Sequence, residues 1–286
     1  MQTILVFGST GQVAQEIQSL RNEHQNYHFE FIGREKINFE SKKDIDTFLL
    51  EKIPKETIGL INAVAYTAVD LAETESDKAY LVNSEAPALM AEYTRRLGIK
   101  LVHFSTDFVF DGLKPTPYKE NDEKNPLSVY GKTKSIGEDL VLERDPNAIV
   151  IRTSWVYSKY GKNFLKTMVR LAKEKEQVSV VDDQIGTPTW AKDLAKLGIQ
   201  ALASDQSGIF HFSNEGVASW YDFAYEIISR VNPNCRVLPI PSEAYPTPAK
   251  RPSYSVLSKK KTRESFSTES IHWKERVSIV LDQLNC

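Results

Sequence analysis

Tyr130 and Lys134 stand four residues apart in the segment Tyr130-Gly131-Lys132-Thr133-Lys134, a spacing that puts two side chains on one face of a helix. An ammonium beside a phenol stabilises phenolate. The pair therefore predicts a tyrosine whose pKa is lowered toward working pH, suited to donating a proton to a carbonyl oxygen. Such an oxygen also needs a hydroxyl to orient it, and Ser105-Thr106-Asp107 ends the apolar run 99–105. Thr106 is the expected partner and Ser105 the alternative, while capping and turn bonding are the competing uses of both.

Gly8-Ser9-Thr10-Gly11-Gln12-Val13-Ala14 follows a short apolar run and opens a helical pattern, the place where backbone N–H groups and a helix dipole take a pyrophosphate. Gly8, Thr10, Gly11, Gln12 and Val13 are the candidate contacts. The spacing is G-x-x-G-x-x-A, and Ala14 is small enough for close packing where a third glycine often stands. Asn62-Ala63-Val64-Ala65 adds small residues against which a dinucleotide can lie, so Ala63, Ala65 and the adjoining Tyr66 join the set. No acidic residue ends the run 29–32; it leads into Gly33-Arg34. Arg34 can meet a ribose 2′-phosphate, which points to NADPH, with NADH as the alternative because Glu35 weakens the field. No His, Cys, Asp or Glu set has ligand spacing, so no metal is expected.

These groups need a scaffold that brings them to one edge. Residues 3–7 are a continuous apolar run stopped by Gly8, which reads as a strand buried on both faces. Val13, Ile17 and Leu20 then share a helical face. Strands at 29–32, 59–63, 99–105 and 148–152 alternate with helices at 42–53, 76–97 and 129–142, Gly98 capping the second of these. That rhythm predicts an α/β, Rossmann-like doubly wound parallel sheet over residues 1–155. Beyond it prolines shorten the elements. Residues 156–286, with helices at 219–231 and 271–284, are expected to form a smaller mixed α/β C-terminal substrate lobe, some of whose elements return to the first domain.

The balance of 36 Lys+Arg against 38 Asp+Glu, net −2 over 286 residues, provides no basic field for nucleic acid or membrane. No apolar run spans a bilayer, Met1–Phe7 has no basic leader, and the two cysteines, Cys235 and Cys286, suit a reducing cytoplasm.

The glycine turn, the hydroxyl after the fourth strand and Tyr130-x-x-x-Lys134 resemble the extended short-chain dehydrogenase/reductases. Within these, the chain resembles the dTDP-4-dehydrorhamnose reductases nearly end to end. The marks are Ala65-Tyr66-Thr67-Ala68-Val69-Asp70, Phe104-Ser105-Thr106-Asp107-Phe108-Val109-Phe110 and Arg152-Thr153-Ser154-Trp155-Val156-Tyr157, followed by Asn163-Phe164, Asp183-Gln184-x-Gly186-x-Pro188-Thr189, Ser219-Trp220-Tyr221-Asp222-Phe223 and Arg251-Pro252-x-Tyr254-Ser255. The resemblance implies NAD(P)H-dependent reduction of the C4 ketone of a dTDP-linked 4-keto-6-deoxy sugar, in deoxysugar and polysaccharide precursor biosynthesis. It implies Thr106, Tyr130 and Lys134 as the catalytic set, Lys134 also holding the nicotinamide ribose. Phe108, Trp155, Asn163, Gln184 and Arg251 join Thr106 and Tyr130 as substrate contacts, the Trp155 indole against the C–H face of a sugar. Phe108 stands where the family commonly has tyrosine, so one hydroxyl is missing from the rim. A reductase or epimerase acting on another nucleotide deoxysugar is the nearest alternative. A non-catalytic regulatory subunit of the methionine adenosyltransferase type is a more distant one, and pairing into a homodimer is left open.

Overall fold

The computed structural model describes residues 1–285; Cys286 lies outside the described residues. In β1 (Gln2–Phe7), Ile4 and Val6 enter one core and Leu5 and Phe7 another, all without exposed surface. A strand buried on both faces belongs inside a parallel sheet. The chain continues through α1 (Gln12–Leu20), β2 (Tyr27–Ile32), α2 (Lys42–Glu51), β3 (Thr57–Asn62), α3 (Val69–Ala72), α4 (Ser76–Tyr80) and α5 (Ala86–Leu97). Then come β4 (Lys100–Thr106), α6 (Val129–Arg144), β5 (Ile149–Thr153), β6 (Val156–Tyr157), α7 (Phe164–Glu174), β7 (Gln177–Val181), β8 (Ile185–Gly186) and β9 (Thr189–Trp190). The last elements are α8 (Ala191–Leu202), β10 (Gly208–His211), β11 (Ala218–Ser219), α9 (Trp220–Val231), β12 (Arg236–Ile240), α10 (Lys260–Phe266) and α11 (Trp273–Gln283).

Six strands make one all-parallel sheet in the order β10-β5-β4-β3-β1-β2. Side chains of α1 and α8 cover one face, and those of α2, α5 and α6 the other. This is the doubly wound, Rossmann-like arrangement expected. Its strand order reverses between β1 and β3, and ligands of open α/β sheets sit at such a reversal, beyond the carboxyl ends of the strands.

The sheet does not end at residue 155. β10 pairs with β5 from Gly208↔Ile149 to His211↔Arg152, and Leu194, Leu197, Ile199 and Phe210 share a core with Ile4 and Ile17. Helix α8 and strand β10 therefore pack with the elements of residues 1–155. The second lobe packs α7, α9 and α11 against the parallel pair β7 and β12, around Tyr157, Leu165, Phe223 and Trp273.

The single helix expected over 76–97 is two α-helices joined by a π-helical turn over Leu81–Glu85, with Gly98 closing the end at φ 65°. Such widened turns recur at functional sites because they push side chains sideways. Here Asn83 Nδ2 donates to Thr133 Oγ1 at 3.1 Å and Ser84 Oγ to the Thr133 carbonyl at 2.6 Å. Gly137 permits the approach, since a Cβ there would lie 2.1 Å from the Asn83 carbonyl oxygen. The start of α6 is held by Ser128, whose hydroxyl accepts the Gly131 N–H at 3.2 Å, and by Glu73, which accepts that of Val129 at 2.8 Å. The helix bearing Tyr130 and Lys134 is thereby fixed at its first turn and along its back.

Candidate active site

At the end of β1 the chain turns at Gly8 with φ +103°, a conformation L side chains rarely adopt, and a Cβ there would crowd the Ala63 carbonyl oxygen at 3.1 Å. Three residues on, Gly11 at the head of α1 supplies no side-chain cap, so the first-turn N–H groups are available to a ligand. Thr10, Gly11, Gln12 and Val13 line a cavity of about 320 Å³ together with Ala63, Val64 and Ala65 after β3. Ser105 of β4 and Tyr130 and Lys134 of α6 line the same space, as does Thr153 of β5, whose buried hydroxyl has no partner. The glycine turn and the Tyr-Lys pair thus meet at the strand-order reversal.

Lys134 is 1% exposed. Its Nζ donates to the Phe104 carbonyl at 2.7 Å and lies 3.2 Å from His103 Nε2. Burial brings its pKa down from 10.5 to about 8, against the opposing pull of Glu138. Tyr130 moves the other way from what the i, i+4 spacing predicts. Burial pushes the phenol up to about 12, a hydrogen bond with Thr106 opposing and the Asp107 charge reinforcing the rise. Desolvation is the largest effect on the phenol, and Lys134 Nζ is turned to the Phe104 carbonyl and His103 rather than to Tyr130.

Thr106 accepts the Phe108 N–H and donates to Asp107 Oδ1, both at 3.1 Å. The turn bonding that competes for this hydroxyl is present, and Thr106 still reaches Tyr130. Ser105 donates to Glu138 Oε1 at 2.6 Å, and Glu138 is held by Arg152 at 2.8 and 2.7 Å. Burial lifts the Asp107 carboxyl to about 6 against hydrogen bonds from Ser255 and Thr106, and its Oδ2 has no partner.

The other expected residues divide. Arg34 is exposed just past β2, outside the cavity lining. Tyr66 also stands outside it, its hydroxyl donated to Glu75 Oε2 at 2.7 Å and its N–H to Asn83 Oδ1 at 2.8 Å. Phe108 meets the Tyr130 ring edge-on at 5.6 Å and borders a space of about 70 Å³ with Trp155, Gln184 and Arg251. Trp155 adopts φ 47° and stacks on Trp220 at 3.6 Å. Gln184, Trp220 and Arg251 are shared with a larger cavity of about 490 Å³, apolar at Phe164, Met168 and Val180 and polar at Asp70 and Thr247. Gln184 donates to Ser242 Oγ at 2.9 Å, and Arg251 pairs with Asp70 at 2.8 Å. Asn163 lines none of these spaces. It caps α7 by accepting the Lys166 N–H at 3.0 Å and donates to Gln12 Oε1 at 2.9 Å, so the polar group expected to touch ligand is occupied in joining the glycine turn to the second lobe.

Sequence reasoning missed Thr153, Asp70, Trp220 and His103. Trp220 opens the recognised Ser219–Val231 helix and could have been found as the apolar residue directly after its N-cap. His103, inside a strand, carried no signal of its own. Among the described residues, no three His, Cys, Asp or Glu side chains cluster as a metal site would require, and no helix is long and apolar enough to cross a membrane.

A model of the RmlD substrate binding domain matches residues 1–286. A dTDP-4-dehydrorhamnose reductase of Burkholderia thailandensis is 42% identical over 242 residues, spanning 79% of this chain and 81% of its own. The crystal structure of a dTDP-4-dehydrorhamnose reductase from Clostridium acetobutylicum matches with a TM-score of 0.93 at 37% identity, over 100% of both chains. That of a dTDP-4-dehydrorhamnose reductase from Bacillus anthracis, in complex with NADP, matches at 0.91 and 34% identity, over 99% of this chain and 100% of the other.

Proposed function

From the premise that the chain belongs to the RmlD substrate binding domain family, we propose that it reduces the C4 ketone of dTDP-4-dehydro-L-rhamnose to give dTDP-L-rhamnose, using NADPH with NADH as the alternative. The reaction belongs to deoxysugar and polysaccharide precursor synthesis. The observation that carries this reading is the single cavity in which the glycine turn, Tyr130 and Lys134 meet.

That cavity fits a dinucleotide. The uncapped start of α1 offers backbone donors, Gly8 brings the turn against Ala63, and the small Ala63 and Ala65 leave the approach open. Thr10, Gly11, Gln12 and Val13 would hold the pyrophosphate, Lys134 the nicotinamide ribose and Arg34 the 2′-phosphate. Bound NADPH supplies the hydride. Tyr130 supplies the proton: with its pKa near 12 the phenol is fully protonated at neutral pH, and it donates to the ketone oxygen as negative charge develops there. Thr106 orients that oxygen once its single hydroxyl proton turns away from Asp107, or turns instead to stabilise the phenolate left behind. A charge on Lys134 in the same low-dielectric cavity does so more strongly.

The Trp155–Trp220 stack and Phe108 form an apolar wall beside Tyr130, suited to the C–H edge of a sugar ring. In the adjoining larger cavity, Gln184 and Arg251 would meet the diphosphate and Phe164, Met168 and Val180 the base. We place the protein in the cytoplasm, a reducing compartment that the unpaired Cys235 suits.

The test is loss of nicotinamide absorbance with dTDP-4-dehydro-L-rhamnose, NADPH and NADH run separately. Oxidation that falls about 10²–10⁴-fold in Tyr130→Phe, with NADPH affinity unchanged, is the expected result. No oxidation by a folded, NADPH-binding protein would move the substrate to another nucleotide deoxysugar.

A further inference from the structure

The neighbours of Lys134 satisfy their hydrogen bonds in only one protonation pattern. β3 and β4 pair with Asn62 opposite His103, and both side chains are buried, His103 without any exposed surface. Asn62 Oδ1 accepts the Val64 N–H at 3.0 Å. The amide's donating end, Nδ2, therefore faces His103 Nδ1 at 3.0 Å and requires a lone pair there. His103 is neutral, since burial, with the Lys134 charge adding, holds its pKa well below 6.5. Its one ring proton must then sit on Nε2, which points at Lys134 Nζ across 3.2 Å. An ammonium has three donors and no acceptor, so it would meet Nε2–H donor to donor. A neutral amine accepts that proton and still donates to the Phe104 carbonyl at 2.7 Å.

We propose that His103, oriented by Asn62, is a positioning residue that favours Lys134 as an accepting amine, and that charging Lys134 obliges the ring to shift its proton to Nδ1 and the Asn62 amide to turn over. The added proton comes from solvent, and the ring keeps one proton throughout. Once turned, Asn62 presents its NH₂ to the Val64 N–H, so charging Lys134 gives up a hydrogen bond in the cavity wall itself. The charged groups around the pair are few. Glu138 lies one turn along α6 and favours the ammonium, but its charge is already engaged by Arg152 of β5 and by Lys124, 3.5 Å away in the segment before α6. Asp107 lies after β4, beside Tyr130. With burial bringing the amine to about 8, both forms are within reach near neutral pH.

The role of Lys134 in turnover rests on the reductase reading, whereas the ring proton can be located without cofactor or substrate. Side-chain nitrogen NMR of the free protein, with His103→Gln assigning the signals among five histidines, is expected to show a protonated Nε2 and a bare Nδ1 at about pH 9.5, where Lys134 is the neutral amine. A proton on Nδ1 there overturns the proposal, whatever the protein reduces. Asn62→Asp places an acceptor opposite Nδ1 and should reverse the ring, moving the falling alkaline limb of kcat/KM up by a pH unit or more. A folded Asn62→Asp protein whose ring keeps Nε2–H, or whose limb stays in place, also overturns it, since a merely structural contact would move neither.

Discussion

A buried lysine and a buried tyrosine on the same helix answer to desolvation before they answer to each other. Spacing makes the Tyr130-x-x-x-Lys134 pair visible, but depth decides the sign of each shift, and a four-residue interval carries no information about depth. The Lys134 cost has a stability signature. Its native pKa of about 8 lies below the 10.5 of the unfolded chain, so between those values the unfolded state binds more protons and stability rises with pH. Below pH 8 the whole penalty is felt, about 3 kcal/mol by the proton linkage, less roughly 1 kcal/mol for the bond to Phe104 that a replacement loses. Lys134→Met should therefore melt several degrees higher than the parent at pH 7, with the gap closing toward pH 10.5, while its reductase activity is lost. Equal melting temperatures at pH 7 would contradict the burial cost.

At the scale of elements, legibility follows local pattern. β1 is readable because Ile4, Val6 and Leu5, Phe7 are apolar on both faces, and α9 because Ser219 and Asp222 form a reciprocal cap at its start. α8 carries the same kind of pattern, with Lys192, Asp193, Lys196 and Gln200 on one face opposite its buried residues, but it has no side-chain cap to mark its start. The π turn at Leu81–Glu85 is invisible for a different reason: it answers to Thr133 and Gly137, about fifty residues away in the chain. Gly137→Ala is the corresponding test. In an exposed helix interior this change stabilises by about 1 kcal/mol. Here the new Cβ meets the Asn83 carbonyl, and the helices must part, which should cost about 1–3 kcal/mol and lower kcat by displacing Tyr130. Calorimetry showing a more stable protein would refute that docking role for the π turn.

Across the whole molecule, the two lobes are not separable by one cut. Chain 1–155 would leave β5 an open edge and expose Phe104, Ile149 and Ile151, which α8 and β10 otherwise help bury. That fragment is expected to bind apolar dyes and resist cooperative melting, whereas the full chain should not bind them; a sharp transition in the fragment would show that 191–211 are dispensable. β10 is not legible as a strand, because four residues between a turn and a polar segment are too short to announce one.

Gln12 receives the Asn163 amide at 2.9 Å and donates to the Val156 carbonyl at 3.3 Å, and Glu16 accepts from Ser158 at 2.6 Å. The start of α1 is thus sewn to the head of α7. A ligand that shifts one of these helix ends is expected to shift the other, and titrating one ligand in the presence of its partner by calorimetry should then give an altered affinity. Heterotropic linkage of this kind is reciprocal: whatever factor the sugar nucleotide adds to dinucleotide binding, the dinucleotide must return to it.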